Sequence, residues 1–272
     1  MHIIKRTHII TAILVIASAC EEVIDIDLNY ADPAFVAEAV ISKDSVCSVR
    51  LTRTADYFSP EEAQFVEDAT ITISDGNFSE ELDYKGKGYY RGSSMTGQEG
   101  STYEIQIQHD GKTYRGTSSM PEEAEIISVH ISMSREVSIL NPLGDTVYSV
   151  SCSFYDDPGI ENYYMITYVA QGKLLEERYF LMTENSANGG SFEKTGNIIN
   201  FAESIFCQGG EAEVRLYSID KPVYDYYMQL DDILFWKRRY IPPVPYNPKS
   251  NLSNGALGCF AAWSYDSRKI IL

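Results

Sequence analysis

The chain has 272 residues, with 22 Lys or Arg against 39 Asp or Glu, for a formal net charge of −17. That balance excludes electrostatic binding to a nucleic-acid backbone or to an anionic lipid surface. A hydrophobic fraction of 44% is enough for a packed core, and 20 tyrosines against 11 phenylalanines favour aromatic surfaces with polar tips.

At the start of the chain, Lys5 and Arg6 supply positive charge and Ile9 to Ala19 an apolar run. Ala17-Ser18-Ala19 are the small residues that a signal peptidase accepts. The run is eleven residues long, short of the roughly 20 that a spanning helix needs. Cys20 follows directly, and the pattern resembles the lipobox of bacterial lipoproteins, with Ala17 in place of the usual bulky aliphatic. The resemblance implies cleavage before Cys20 and its acylation; two or more acyl chains anchor stably where one is reversible. Glu21, Glu22, Asp25 and Asp27 come next. They resemble the acidic export signal that sends Bacteroidota lipoproteins to the cell surface, and they also suit a plain solvated tether. Removal of residues 1–19 leaves 253 residues, and the loss of Lys5 and Arg6 takes the net charge to −19.

Residues 35–121 read as short strands separated by turns. Cys47, Val49 and Leu51 alternate with polar residues, and Ala69, Ile71 and Ile73 do the same before Asp75-Gly76. Leu82 and Tyr84 lead into Gly86-Lys-Gly88. Tyr103, Ile105 and Ile107 run up to Asp110-Gly111, a hairpin signal, and Tyr114 starts the return strand. Strands about ten residues apart without helical period predict an immunoglobulin-like or transthyretin-like sandwich. The boundary is placed at Met120-Pro121.

Residues 122–272 are expected to form a second β-rich, sandwich-like domain. Ile127, Val129, Ile131 and Met133 share one strand face, as do Tyr148, Val150, Cys152 and Phe154. Tyr164, Ile166 and Tyr168 alternate, residues 174–182 return, and Thr183 to Asn197 reads as a long polar loop. Helical spacing of Val223, Tyr226, Tyr227, Leu230, Ile233 and Leu234 predicts a helix over about 221–239, capped by Asp220, closing one end of the sandwich. Asp231-Asp232 is assigned to its polar side. Leu257 to Tyr265 is a last strand.

Of five cysteines, Cys20 is reserved for lipid. Cys47, Cys152, Cys207 and Cys259 are expected as buried free thiols, with at most one bridge in the second half. Catalytic motifs are missing: there is no Gly-x-Ser-x-Gly and no His-Glu-x-x-His, and His109 simply abuts the Asp110-Gly111 turn. Asp25-x-Asp27-x-Asn29 departs from a calcium loop at Tyr30, and Asp156-Asp157 to Glu161 reads as a solvated turn. No enzyme activity, cofactor or metal is expected. The exception to a bland surface is Trp236 beside Lys237, Arg238 and Arg239, followed by the Pro-rich stretch Tyr240 to Tyr246. Aromatics, arginines and an extended, low-entropy strip are interface material, so Trp236, Lys237, Arg238, Arg239, Tyr240 and Tyr246 form the candidate partner contact.

Across 20–272 the chain resembles a family of Bacteroidota outer-membrane lipoproteins, domain of unknown function 4249. The residues that carry the resemblance are the acidic Cys20–Leu28 start, Ala69-Thr-Ile-Thr-Ile-Ser-Asp-Gly76, Gly88-Tyr-Tyr90, Gly100-Ser-Thr-Tyr103 and Gly111-Lys-Thr-Tyr114. Tyr224-Asp-Tyr-Tyr227 and Asn251-Leu-Ser-Asn-Gly-Ala-Leu-Gly258-Cys-Phe260-Ala follow, the last being the most specific. The resemblance implies an outer-membrane lipoprotein, facing the exterior, that is accessory to a TonB-dependent transporter of the starch-utilisation type, binding or gating cargo. A structural or adhesive surface sandwich is the alternative. The resemblance names no substrate and carries no site residues.

Overall fold

The computed structural model describes residues 33–55, 64–136, 145–175, 178–206, 210–238 and 246–272, with backbone alone at 135–136, 145–146, 206 and 235–238. The expected signal peptide and nearly all of the tether, including Cys20, Glu21, Glu22 and Asp25, lie outside the described residues, as does Cys207.

Alternation of apolar and polar residues resolves into strands throughout, and the described residues are mainly β with one helix near the C-terminus. The first half supplies β1 (Phe35–Ser42), β2 (Val46–Arg53), β3 (Thr70–Ser74), β4 (Ser79–Glu81), β5 (Asp83–Gly86), β6 (Tyr89–Thr96), β7 (Thr102–His109) and β8 (Lys112–Ser119). Next come β9 (Ile126–Glu136), β10 (Asp145–Tyr155), β11 (Tyr163–Ala170), β12 (Lys173–Leu174), β13 (Phe180–Thr183), β14 (Ser186–Ala187) and β15 (Ser191–Thr195). The chain ends with β16 (Ile198–Phe206), β17 (Glu211–Ile219), helix α1 (Lys221–Arg238) and β18 (Leu257–Ile271). The Asp110-Gly111 signal forms the tight β7–β8 hairpin, with His109 opposite Lys112 and both turn residues at positive φ, 47° and 70°.

One sheet runs β14-β13-β11-β17-β18-β1-β2-β6-β5, with β12 beside β11. A second sheet, β4-β3-β7-β8, closes the first core: Cys47, Val49 and Leu51 from β2 meet Ile71, Ile73, Ile105 and Ile107, all fully buried. A third, β15-β16-β10-β9, closes the second core, where Val150, Cys152 and Phe154 meet Tyr164, Ile166, Phe201 and Leu216. Two sandwiches therefore share a continuous sheet.

The expected boundary at 121/122 falls between the two cores in chain order, but β18 crosses it. Its first part lies parallel to β1, from Val36 opposite Leu257 to Ser42 opposite Trp263. Its second part is antiparallel to β17, from Ser218 opposite Ser264 to Glu211 opposite Ile271. Leu252, Ala256, Phe260 and Ala262 accordingly pack in the first core. The closing motif works at this joint: Asn251 Oδ1 accepts from Phe260 N at 2.9 Å, and Ser253 N donates to Arg115 O at 2.7 Å.

Several expectations are corrected. Thr183 to Asn197 contains β14 and β15 rather than one loop, and β15 pairs with β16 through Phe192 opposite Phe201. A β-bulge near Phe154 turns Ile127 outward to 53% exposure and buries Ile126 in its place. Helix α1 does not close an end of the sandwich. It lies on the outer face of the long sheet, covering Tyr163, Met165, Leu181, Tyr217, Cys259 and Ala261 with Val223 and its tyrosines. That is why β11 is buried on both faces. Asp157 to Glu161 form the expected solvated turn, but Asp156 itself is 1% exposed, with Lys194 Nζ 2.7 Å from its Oδ2. The expectation of buried free thiols holds for Cys47, Cys152 and Cys259, and burial pushes the first two up to about 12.

Candidate functional site

Asp220 fixes the start of α1. Its Oδ1 accepts from Val223 N at 3.0 Å, the N-cap bond expected of this residue type. Its Oδ2 accepts from Ser118 Oγ and Ser119 N, both at 2.8 Å, which ties the cap to β8. From there Val223, Tyr227 and Asp231 recur every four residues, so they share the face turned toward the sheet. Val223 is fully buried, and Tyr227 packs against Tyr179 with ring centroids 4.8 Å apart.

Asp231 ends that stripe as a buried carboxylate, 3% exposed, and not on the polar side of the helix as the sequence predicts. Arg178 Nε lies 3.3 Å from Oδ1 and Arg178 Nη2 3.3 Å from Oδ2. Tyr179 N donates to Oδ1 at 3.0 Å and Asn188 Nδ2 to Oδ2 at 3.1 Å. Four donors on two oxygens leave the carboxylate engaged as an anchor and unavailable as a general base. Arg178 is held in turn over the Phe180 ring, 4.8 Å from its centroid.

Above this node lies an open cleft of about 450 Å³, lined by Arg178, Asn188, Met228, Gln229, Asp232 and Tyr246. Tyr246 forms its outer wall. Its hydroxyl is 3.2 Å from Gln229 O and 3.1 Å from Asp232 Oδ2, and its ring remains 40% exposed. Partial burial, with the Asp232 carboxylate beside it, raises the phenol above its ordinary value of 10.0. Lys249 N donates to Gln229 Oε1 at 3.0 Å, so the chain that returns from the Pro-rich stretch is stitched back onto α1. The cleft is thus lined by a guanidinium, an amide, a carboxylate and a phenol over a hydrogen-bonded floor. This is a hydrogen-bonding surface.

A family model described as "Domain of unknown function (DUF4249)" matches residues 21–269. The chain belongs to that family. No curated protein matches it.

Of the six contact residues expected from this family member's sequence, Tyr246 lies at the cleft. Trp236, Lys237 and Arg238 are placed by backbone on the last turn of α1, which leads away from the cleft-lining residues Met228 to Asp232. Their side chains, and all of Arg239 and Tyr240, lie outside the described residues. Sequence reasoning missed Arg178, Asn188 and Asp231. Asp231 had a signal, since it stands in register with Val223 and Tyr227 on the apolar stripe. Arg178 and Asn188 had none, because they meet Asp231 only through the pairing of β13 with β11 and β14.

Proposed function

We propose that this chain is a non-enzymatic, lipid-anchored lipoprotein of the outer membrane that faces the cell exterior and serves a TonB-dependent transporter in nutrient uptake, by binding or gating its cargo. The observation that carries the reading is the face built by α1 and the chain returning at Tyr246. An exposed aromatic and an open polar cleft lie there on a floor held by half-buried Arg178 paired with the buried Asp231. A preorganised floor lowers the ordering cost of association, and Tyr, Trp and Arg are the side chains that anchor interfaces. The cysteine and acidic run at 20–27 support a surface anchor, and the resemblance of the whole chain supports the transporter as partner.

The test is the triple variant Trp236→Ala, Arg238→Ala, Tyr246→Ala, expressed in cells that carry the transporter. The exposed Tyr246 bonds are worth about 1 kcal/mol, so the thermal midpoint should fall by only a few degrees. Co-purification with the plug-domain barrel from detergent-solubilised outer membranes should drop at least tenfold. Unchanged co-purification overturns the contact. Global unfolding of the variant would place these side chains in the core and overturn it as well.

A further inference from the structure

A second cluster of polar side chains sits on the opposite half of the chain, at the end of β7. Asp68 precedes β3, His109 ends β7, and Thr70 is paired with Gln108, so strand pairing brings the two side by side. His109 is 9% exposed and its ring stacks on Phe35, with centroids 5.7 Å apart. Nδ1 is 3.1 Å from Asp68 Oδ1, yet this buried nitrogen makes no hydrogen bond, so the carboxylate lies off its N–H axis. On the other side of the ring, Nε2 is 3.1 Å from Asp110 Oδ2. Arg53 Nη2 is 2.9 Å from that same oxygen and 3.1 Å from Nε2.

We propose that Asp68 and His109 bind a borderline divalent cation of the zinc type, with Asp110 and Arg53 orienting the imidazole. A buried nitrogen left without a partner is costly, and a metal ion supplies the partner. Two atoms each about 2.0–2.1 Å from one tetrahedral ion stand about 3.3 Å apart, with neither pointing straight at the other. Nδ1 and Asp68 Oδ1 are close to that arrangement at 3.1 Å. Coordination through Nδ1 requires Nε2 to carry the proton. In the metal-free protein Nε2 accepts from Arg53 Nη2, which can only donate. Binding must therefore move the ring proton from Nδ1 to Nε2 and leave the guanidinium on Asp110 Oδ2 alone. Asp110, 3.1 Å from Nε2, can then accept that proton's hydrogen bond, as carboxylates commonly do for ligating imidazoles. Arg53 then donates to Asp110 as well, so both donors converge on one Oδ2. With a neutral imidazole the three charges sum to −1, in a chain of net charge −17, so the locality favours a cation. The nitrogen donor selects Zn²⁺, Ni²⁺ or Co²⁺ over Ca²⁺ and Mg²⁺. Water completes the shell.

The test titrates the EDTA-treated full chain with ZnCl₂, read by calorimetry and by the imidazole ¹⁵N resonances of His109. Zinc should shift Nδ1 of His109 with one-to-one stoichiometry, and CaCl₂ should not. The Asp68 side chain is 78% exposed, so Asp68→Asn folds as the parent does and should weaken zinc binding at least tenfold. Asp110→Asn should weaken it about tenfold or more, the usual effect of losing an orienting carboxylate. An Nδ1 resonance unmoved by excess zinc overturns the site and leaves an ionic Arg53–His109–Asp68 cluster. So does an Asp68→Asn variant that binds zinc as tightly as the parent.

Discussion

Glu80 shows how a single buried charge can hold a strand irregularity in place. It sits on β4, is 8% exposed, and faces β6 where the β2–β6 register shifts. Met95 N donates to Oε2 at 2.7 Å and Ser94 N to Oε1 at 2.9 Å, and both the N–H and the hydroxyl of Ser93 reach Oε1. Burial alone would raise its pKa, but the N–H groups of Met95 and Ser93, then Ser93 Oγ and Ser94 N, outweigh it and bring the carboxyl below its ordinary 4.5. A lowered folded pKa means that the stabilisation is present above 4.5 and is lost as pH falls through the folded value. Glu80→Ala strands three N–H groups and should cost about 2 kcal/mol or more at neutral pH. Urea denaturation at pH 7 and at pH 3 checks this. The gap between parent and variant should narrow at pH 3, and an equal gap at both values would contradict the ionised carboxylate as its source.

At the scale of elements, period-2 alternation was legible in strands such as β1, β2 and β7 because they bury one face, and turn chemistry was legible because Asp110-Gly111 suits a tight hairpin. Helix α1 was legible from its stripe and its Asp220 cap. Its position was not, since nothing in a stripe says which sheet face it covers. The Arg178–Asp231 node was half legible, because a carboxylate on an apolar stripe signals burial but not its partner. The β1–β18 pairing was the least legible element, joining residues more than two hundred positions apart through Gly258. That glycine has φ +93°, and a Cβ there would lie 2.1 Å from Ala37 O. Gly258→Ala must therefore both adopt a disfavoured backbone and push β1 away, and should cost at least about 3 kcal/mol. Gly255→Ala, at φ +73° in open space, should cost only about 1–2 kcal/mol. Chemical denaturation of the two variants decides it; equal losses would mean that the close approach to Ala37 is relaxed at no cost.

At the scale of the whole molecule, the question is whether two cores in one chain behave as two domains. Chain order says they can, with the cut at 120–124. The segment there is nonetheless pinned. Ala124 N donates to Ser218 Oγ at 3.0 Å, Ser264 Oγ to Pro121 O at 2.9 Å, and Ile126 N to Asp266 Oδ2 at 2.9 Å. Arg268 Nη2 closes the set on Ile126 O at 2.9 Å. These partners lie on β17 and β18, and β18 pairs with β1 on one side and β17 on the other. Unfolding the first sandwich removes β1 from β18, exposes Phe260 and Ala262, and frees the edge on which the second sandwich is built. Pro33–Leu272 is accordingly one compact unit. Calorimetry of the intact chain should give one endotherm whose calorimetric and van't Hoff enthalpies agree. Ile105→Ala, deep in the first core, should lower that single midpoint by the equivalent of about 2–5 kcal/mol rather than split it. A protease site inserted between Glu122 and Glu123 provides the sharper version. After cleavage the two pieces should stay together on gel filtration under native conditions, since the C-terminal piece carries β18, to which β1 in the N-terminal piece is paired. Release of a folded N-terminal fragment would show that the first sandwich closes without β18, and the shared strand would then be a point of contact between two domains instead of the element that makes them one.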